Sequence, residues 1–276
     1  MLIDHAGRAT FLRDEQFSTI ELLDWPAGHA RLAVLDGMGG HGHGREAAEA
    51  AVLGLIGLPA CSRLDALCQH LDALHAQLQR DFAGAVPAER RPGTTLTLLE
   101  LPADGAPLLY HVGDSRLYEI ADDKVTPLTV DHVPTTALAM EGLLGEREWW
   151  QHVHGEHRPQ IAQAFILGNA FQDPLMLADP LYPLTPANLP GFLWHLPDRR
   201  ALALRPDADY LLATDGFWSC DDPLAWVERW PALFKAHGSA GEKLAALFEA
   251  MERTPPSRVH PDNLTAIVLS ARRAGA

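Results

Sequence analysis

Four aspartates stand at the ends of apolar segments, each beside a glycine, a serine or an asparagine. They are Asp36, Asp114, Asp215 and Asp262. Taken singly, each is typical of a turn, because Asp-Gly tolerates left-handed backbone. If antiparallel strands end on one rim, however, the four carboxylates come close, and a divalent cation relieves their mutual repulsion. A set of oxygen ligands without cysteine favours Mg²⁺ or Mn²⁺.

The glycine-rich segment DGMGGHGHG that follows the first strand admits other chemistries. A phosphate-binding loop requires GxxxxGK[ST], and this segment has no lysine; GxGxxG is also absent. His41 and His43 could begin a zinc site, but two histidines without a third ligand nearby make this a minority interpretation. Gly37 would let the chain turn closely around an ion, so Asp36 and Gly37 are the candidate ligands of the segment.

The elements that must position these residues follow from the hydrophobic pattern. RLAVL (31–35) predicts a strand that ends at Asp36, and REAAEAAVLGLIGL (45–58) predicts a helix. The other predicted strands are 93–101, 106–112, 116–120, 124–130, 209–216 and a last one within 260–273. The other predicted helices are 62–82, 160–168 and a region that includes 243–251. Strands in runs and two long helices together favour an α+β class over a βαβ alternation.

Composition restricts the class of protein. The chain has 276 residues and a net charge of −14, which disfavours a nucleic-acid partner. Cys61, Cys68 and Cys220 show no spacing typical of a disulfide framework or a zinc site. With no apolar signal core and no apolar stretch of roughly 20 residues, we expect a soluble cytoplasmic protein that has no membrane partner.

The motifs, taken together, carry a resemblance. They are DGMGGH (36–41), GTT (93–95), HVGDSRLY (111–118), DH (131–132), LLATDGFW (211–218) and PDNLTAIVL (261–269). In this order they resemble the motifs of the metal-dependent serine/threonine protein phosphatases, the PPM or type 2C family, in its bacterial form. The resemblance implies one catalytic domain over residues 1–276, built as a four-layer α-β-β-α sandwich of two antiparallel sheets flanked by helices. It also implies a flap at about 132–165, while the tract at about 170–205 is an atypical insert.

The resemblance assigns roles to the rim residues. Asp36 would bridge two Mn²⁺ or Mg²⁺ ions, the Gly37 carbonyl would bind one of them, and Asp215 and Asp262 would each add a carboxylate. Asp114, with Asp215, would bind a weaker third ion. A hydroxide between two metals would then attack the phosphate directly, with Asp36 and Asp215 as the catalytic residues.

The first motif of the family is where the sequence departs. HAGRATFLRDEQF (5–17) offers Glu15 or Asp14 for the acidic place, which makes Glu15 a further metal-ligand candidate. The arginine that should bind phosphate bidentately stands at 8 or 13, neither in the expected spacing. His41 could assist departure of the leaving group or have only a structural role in the loop.

The leading hypothesis is a phosphatase that acts on phosphoserine and phosphothreonine in proteins and opposes a Ser/Thr kinase in signalling. A phosphatase for small phosphoesters has the same metal chemistry and stays open. A catalytically weak or inactive member that binds phosphoproteins as a regulator is an alternative from another class, and the irregular arginine motif is what supports it. A β-rich binding module would leave the order of the motifs unexplained.

Overall fold

The computed structural model describes residues 1–38, 43–83, 91–158, 160–173 and 176–270. The strands are β1 (Leu2–Ile3), β2 (Arg8–Arg13), β3 (Gln16–Glu21), β4 (Ala30–Val34), β5 (Gly37–Met38), β6 (Gly93–Thr94), β7 (Leu96–Leu101), β8 (Leu108–Val112), β9 (Arg116–Ala121), β10 (Lys124–Pro127), β11 (Gln163–Ala164), β12 (Gly168–Asn169), β13 (Arg199–Ala201), β14 (Asp209–Ala213) and β15 (Ala266–Ser270). The helices are α1 (Gly44–Gly57), α2 (Leu64–Ala83), α3 (Pro134–Met140), α4 (Glu146–His154), α5 (Pro223–Val227), α6 (Trp230–Lys235) and α7 (Ala240–Arg253).

Two antiparallel sheets organise the described residues. The larger sheet has seven strands in the order β13-β8-β7-β4-β1-β2-β3, and the smaller has four in the order β10-β9-β14-β15. Two short pairs, β5 with β6 and β11 with β12, lie outside these sheets. The predicted α+β class with antiparallel sheets is therefore confirmed.

Alternation along the strands sends their side chains into separate cores, since successive residues of a strand face opposite sides of the sheet. On β7, Leu98 packs with α1 and α2, whereas its neighbour Leu99 packs with the four-stranded sheet. On β14, Leu212 belongs to the core between the sheets, while Leu211 packs with the tryptophans of α5 and α6.

The two long helices follow the predicted spacing. Leu67, Leu71, Leu74 and Leu78 of α2 are buried in the core on the seven-stranded sheet. This is the three-to-four residue repeat of one helix face. The predicted helices 45–58 and 62–82 agree with α1 and α2 to within one or two residues at each end.

The region 160–168 is not a helix, and that prediction was wrong. Gln163 and Ala164 form β11, which pairs with β12, and Phe165 bridges to Thr94. Ile166 has a φ of 73°, which no right-handed helix accommodates. Conversely, the polar-aromatic segment EREWWQHVH, which carried no helix prediction, forms α4.

Other boundaries differ by less. Strand 93–101 divides at Thr95 into β6 and β7, strand 124–130 ends at Pro127, and the last strand is limited to Ala266–Ser270. The hairpin of β2 and β3 was not predicted. Its turn places Asp14 and Glu15 at φ values of 48° and 61°, typical of a tight two-residue hairpin loop.

The regions 132–165 and 170–205 share one core. Trp149 and Val153 of α4 are buried together with Leu184, Leu189 and Leu193. The Trp149 and Phe192 rings lie 5.9 Å apart between centroids. The two regions named from the sequence as flap and insert therefore pack on each other. Among the helices that the structure describes, none combines the length and hydropathy that a bilayer crossing requires.

Candidate metal centre

Asp36 follows β4 and is held by Thr95, the residue between β6 and β7. The Thr95 amide donates to the Asp36 carbonyl at 2.8 Å, and the Asp36 amide donates to Thr95 Oγ1 at 2.9 Å. Thr95 Oγ1 also lies 2.6 Å from Ser115 Oγ, next to Asp114. Backbone and hydroxyl bonds thus fix the end of one sheet against the start of the other.

Asp215 and Asp262 come together from the two strands at the centre and edge of the smaller sheet. Asp215 begins a 3₁₀ turn directly after β14, and Ser219 Oγ donates to its carbonyl at 3.0 Å. Asp262 precedes β15, and the Thr214 amide donates to the Thr265 carbonyl at 3.0 Å. Because β14 and β15 are paired antiparallel, the end of one lies beside the start of the other.

Three of the predicted carboxylates form one cluster. Oxygens of Asp36, Asp215 and Asp262 all lie within 4.8 Å of one another; Asp36 and Asp215 are partly buried and Asp262 is exposed. These three, Gly37 and Asp114 line one cleft of about 250 Å³. The four rim aspartates and Gly37, predicted from separate motifs, are thus brought together.

The electrostatics of the cluster are unfavourable for the carboxylates alone. Burial first, then repulsion from Asp215 and Asp262, raises the pKa of Asp36 to about 8. Burial and repulsion from Asp262 raise the pKa of Asp215 above its ordinary value. Burial and repulsion from Asp215 also hold the pKa of Asp114 well above its usual range. A divalent cation with a preference for oxygen ligands fits this donor set, because it converts the repulsion into attraction.

Two glycines bring α1 against the backbone at Gly37, the candidate ligand of the glycine-rich segment. A Cβ on Gly37 would collide with the carbonyl of Gly44, and a Cβ on Gly44 would lie 2.6 Å from the carbonyl oxygen of Gly37. Any side chain at either position would force the two backbones apart. The close approach therefore requires glycine at both ends of the loop.

The candidates from the first motif do not line the cleft. Arg8 is on the β2–β3 hairpin, where its Nε is 3.0 Å from Glu21 Oε1. Arg13 Nε lies 3.8 Å from Asp14 Oδ2, and neither arginine lines the cleft. Glu15 is largely exposed but lines a second cavity of about 350 Å³ together with Asp36 and Gly37. The roles given to Arg8, Arg13 and Glu15 stay predictions, and His41 lies outside the described residues.

The structure adds residues that the sequence argument did not single out. Thr95, Gln160 and Ile161 line the cleft, and only Thr95 carried a motif signal, through GTT. Arg116 and Asp131 form a buried ion pair with an Nη2–Oδ2 distance of 2.7 Å. Both belong to quoted motifs, GDSR and DH, so their presence near Asp114 could have been inferred.

Two curated relatives match about half of the chain. The serine/threonine protein phosphatase PstP of Mycobacterium tuberculosis is 35% identical over 131 residues, which is 46% of this chain and 25% of PstP. The protein phosphatase PhpP of Streptococcus pneumoniae is 30% identical over 133 residues, which is 46% of this chain and 53% of PhpP. The chain thus spans a quarter to about half of the length of these relatives. No protein-family profile matches the sequence.

Solved structures match over most of the chain. A crystal structure of M. tuberculosis PstP/Ppp superposes with a TM-score of 0.61 and 24% identity, covering 88% of each chain. The catalytic domain of PstP in complex with two manganese ions gives a TM-score of 0.57 and 22% identity, covering 86% of each chain. At this low identity the superpositions show that the fold is shared. The curated relatives show in addition that about half of the chain is similar in sequence to bacterial protein phosphatases. The resemblance to the bacterial PPM serine/threonine phosphatases is therefore confirmed, and the chain has their fold.

Proposed function

We propose that the protein is a metal-dependent phosphatase that hydrolyses phosphoserine and phosphothreonine in proteins. The observation that carries this proposal is the cluster of Asp36, Asp215 and Asp262, whose carboxylates lie within 4.8 Å of one another in a cleft. Such a cluster is unfavourable unless a cation shares it.

Asp36, the Gly37 carbonyl, Asp215 and Asp262 would hold two Mn²⁺ or Mg²⁺ ions, and Asp114 with Asp215 would hold a third. When bound, the ions supply a water of lowered pKa and neutralise charge on the phosphoryl oxygens. The complex of PstP with two manganese ions supports manganese as the metal and two as the number of ions held by the first set of ligands. Thr95 is hydrogen-bonded to the Asp36 backbone and Ser115 to the Thr95 hydroxyl, which supports the chain at the point where this carboxylate is carried.

Direct hydrolysis fits the side chains of the cleft. Among its described lining residues there is no cysteine or serine, and Thr95 Oγ1 is occupied by hydrogen bonds to Asp36 N and Ser115 Oγ. We therefore propose that a water attacks phosphorus. The new bond joins the water oxygen to phosphorus and the bond to the serine or threonine oxygen breaks. That oxygen takes up one proton in exchange for the proton that the attacking water gives up, and leaves as the free hydroxyl.

The substrate class comes from the relatives, whose names describe protein phosphatases. A Ser/Thr kinase must supply such a substrate, so we propose that the enzyme opposes one in signalling. Cys61, Cys68 and Cys220 are free thiols, which suits a reducing cytoplasm.

The test is hydrolysis of an aryl phosphate and of a phosphothreonine peptide with Mn²⁺, with Mg²⁺ and with EDTA. We expect turnover that depends on metal and falls by more than about 100-fold in Asp36→Asn and Asp215→Asn. Even mutation of residues that only hydrogen-bond to metal ligands lowers metal affinity or activity by about 10- to 100-fold. Asp104→Asn, an exposed loop aspartate, is the matched control. Equal activity in EDTA, or none with either metal, would contradict the proposal. A preference for the aryl phosphate over the peptide would favour small phosphoesters as substrates instead.

A further inference from the structure

The cleft still requires a cation for the substrate itself. The carboxylates of the cluster would largely neutralise the ions proposed for it, so a phosphate dianion would need further positive charge nearby. An arginine is suited to this, because its guanidinium offers two parallel N–H donors to a pair of phosphate oxygens.

The arginines near the described cluster differ in how far their donors are occupied. Arg116 is buried, and its nitrogens donate to Asp131, to Tyr118 Oη and to the Val153 carbonyl. Arg158 is held by Glu156 at 2.6 Å from Nη2 to Oε2. Both therefore already have partners for their charge.

Arg45 is different. It lies in the first turn of α1 and lines the cavity of about 350 Å³, which is separate from the cleft of about 250 Å³ but shares Asp36 and Gly37 with it. Within the part of the chain that the structure describes, its side chain has one ion pair, with Glu15, at 3.9 Å between Nη1 and Oε1. That distance is too long for a hydrogen bond, and both side chains are mostly exposed. The guanidinium donors are thus available to a ligand.

The position of Arg45 is fixed by the glycine contact described above. A Cβ on Gly37 would lie 3.1 Å from the Arg45 amide, so the backbone of Arg45 touches that of Gly37. A cation in the first turn of a helix is also unfavourable with the helix dipole. The residue therefore stands where it does little for folding and borders the metal-binding backbone.

We propose that Arg45, rather than Arg8 or Arg13, binds the phosphate group of the substrate, an inference that rests on the proposed phosphatase function. Arg8 is engaged by Glu21 on the outer hairpin, and Arg13 lines neither cavity. Arg45, at the start of α1, would thus provide the phosphate-binding cation that neither arginine of the first motif provides.

The experiment compares Arg45→Gln and Arg45→Lys with the wild type, all loaded with Mn²⁺. KM and kcat are measured for a phosphothreonine peptide. Affinity is measured by fluorescence anisotropy for the same peptide carrying a non-hydrolysable phosphonate. We expect Arg45→Gln to raise KM by about 10- to 100-fold, as for loss of a charged hydrogen-bond pair, with kcat much less affected. Affinity for the phosphonate peptide should fall by the same factor, and Arg45→Lys should restore part of both.

Arg63→Gln is the matched control, since Arg63 is exposed and paired only with its neighbour Asp65 among the described residues. It should behave as the wild type, and thermal unfolding should show all variants folded. Wild-type behaviour of Arg45→Gln, or a larger loss in Arg8→Gln, Arg13→Gln or Arg158→Gln, would overturn the inference. If the wild type turns over no phosphopeptide, the proposed function fails, while the phosphonate affinities still decide the role of Arg45.

Discussion

The two ends of the strand pair formed by β4 and β7 differ in whether their charged side chains have partners of opposite charge. At one end Arg31 faces Glu100 across the sheet, both fully buried. Arg31 Nε is 2.6 Å from Glu100 Oε2, and His29 Nε2 is 2.8 Å from Glu100 Oε1. The remaining donors of Arg31 reach carbonyls in the last turn of α1 and just after it, including that of Leu55 at 2.7 Å. At the other end, among the residues that the structure describes, the charges that shift the pKa of Asp36 are the like charges of Asp215 and Asp262.

The difference teaches which end is complete without a ligand. A buried ion pair with all donors bonded holds together by itself, whereas breaking it leaves an uncompensated charge. A cluster of carboxylates needs a cation or a proton from solution to offset the repulsion between its members. The same two strands therefore carry an end whose charges are compensated within the chain and an end whose carboxylates suit a cation.

The largest effect should come from the end whose charges are compensated within the chain. Glu100→Gln keeps the shape of the side chain but leaves the Arg31 guanidinium buried without a counter-charge. We expect the free energy of unfolding to fall by about 3–5 kcal/mol, as measured by urea denaturation at pH 7. The Mn²⁺ affinity of the folded variant should be unchanged. A loss of affinity equal to that of Asp36→Asn would contradict the division between the two ends.

The next effect belongs to the cation. At a free Mn²⁺ concentration 100 times its dissociation constant, the wild type should gain about 2.7 kcal/mol in unfolding free energy. Asp36→Asn should lose most of this gain, and Glu100→Gln should keep it despite its lower starting stability. Denaturation curves with and without Mn²⁺ measure both. Equal gains in wild type and Asp36→Asn would mean that the metal binds elsewhere.

A smaller effect is the response of the metal-free protein to pH. The pKa of Asp36 is about 8 in the folded state against an ordinary 3.8, so the folded state holds this proton more tightly. Its contribution to stability is complete below pH 3.8 and is lost as the pH rises towards 8. We expect a loss on the order of 1–2 kcal/mol, below the full value of the shift because the carboxylates relax towards water.

Thermal unfolding in EDTA across this pH range tests the sign. Asp36→Asn should flatten the curve relative to the wild type. Mn²⁺ in place of EDTA should offset the loss at high pH, because the ion binds the deprotonated carboxylate. A metal-free wild type that becomes more stable between pH 5 and pH 8, with Asp36→Asn following the same curve, would be contrary to the raised pKa.

The smallest effect concerns the residue that holds Asp36. Thr95→Val removes the acceptor of the Asp36 amide and should cost about 1 kcal/mol in unfolding free energy. Thr19→Val is the control: this position on β3 is exposed, its hydroxyl lies 3.5 Å from Thr10 Oγ1, and its loss should cost less than that of Thr95. If Thr95→Val lost Mn²⁺ affinity without losing stability, Thr95 would serve metal binding and not the stability of the fold.

The rim aspartates could be predicted from sequence because turn residues at strand ends keep their local signal. Asp36, Asp114 and Asp215 each sit beside a glycine or serine after an apolar run, and antiparallel pairing then brings the ends together. The class of the fold followed from the same runs. The outer hairpin of β2 and β3 did not, because its exposed β3 lacks the alternation of a half-buried strand.

Tertiary contacts explain the wrong helix at 160–168. Ile161, Phe165 and Ile166 have a helical spacing, yet the Phe165 amide donates to the Thr94 carbonyl at 2.9 Å. That long-range pairing outweighs the local periodicity. The phosphate-binding arginine could not be predicted from sequence for another reason. Arg8 belongs to the first motif, but the hairpin register sets it opposite Glu21.

The core shared by residues 132–165 and 170–205 limits how the two regions can be exchanged between proteins. Trp149 is buried against Phe192, and its Nε1 donates to Thr136 Oγ1, which in turn donates to the Asp131 carbonyl. Replacing one region alone with that of a relative would uncover this indole. A chimera therefore has to carry both regions together, and we expect substitutions at Trp149 and Phe192 to compensate each other across homologues.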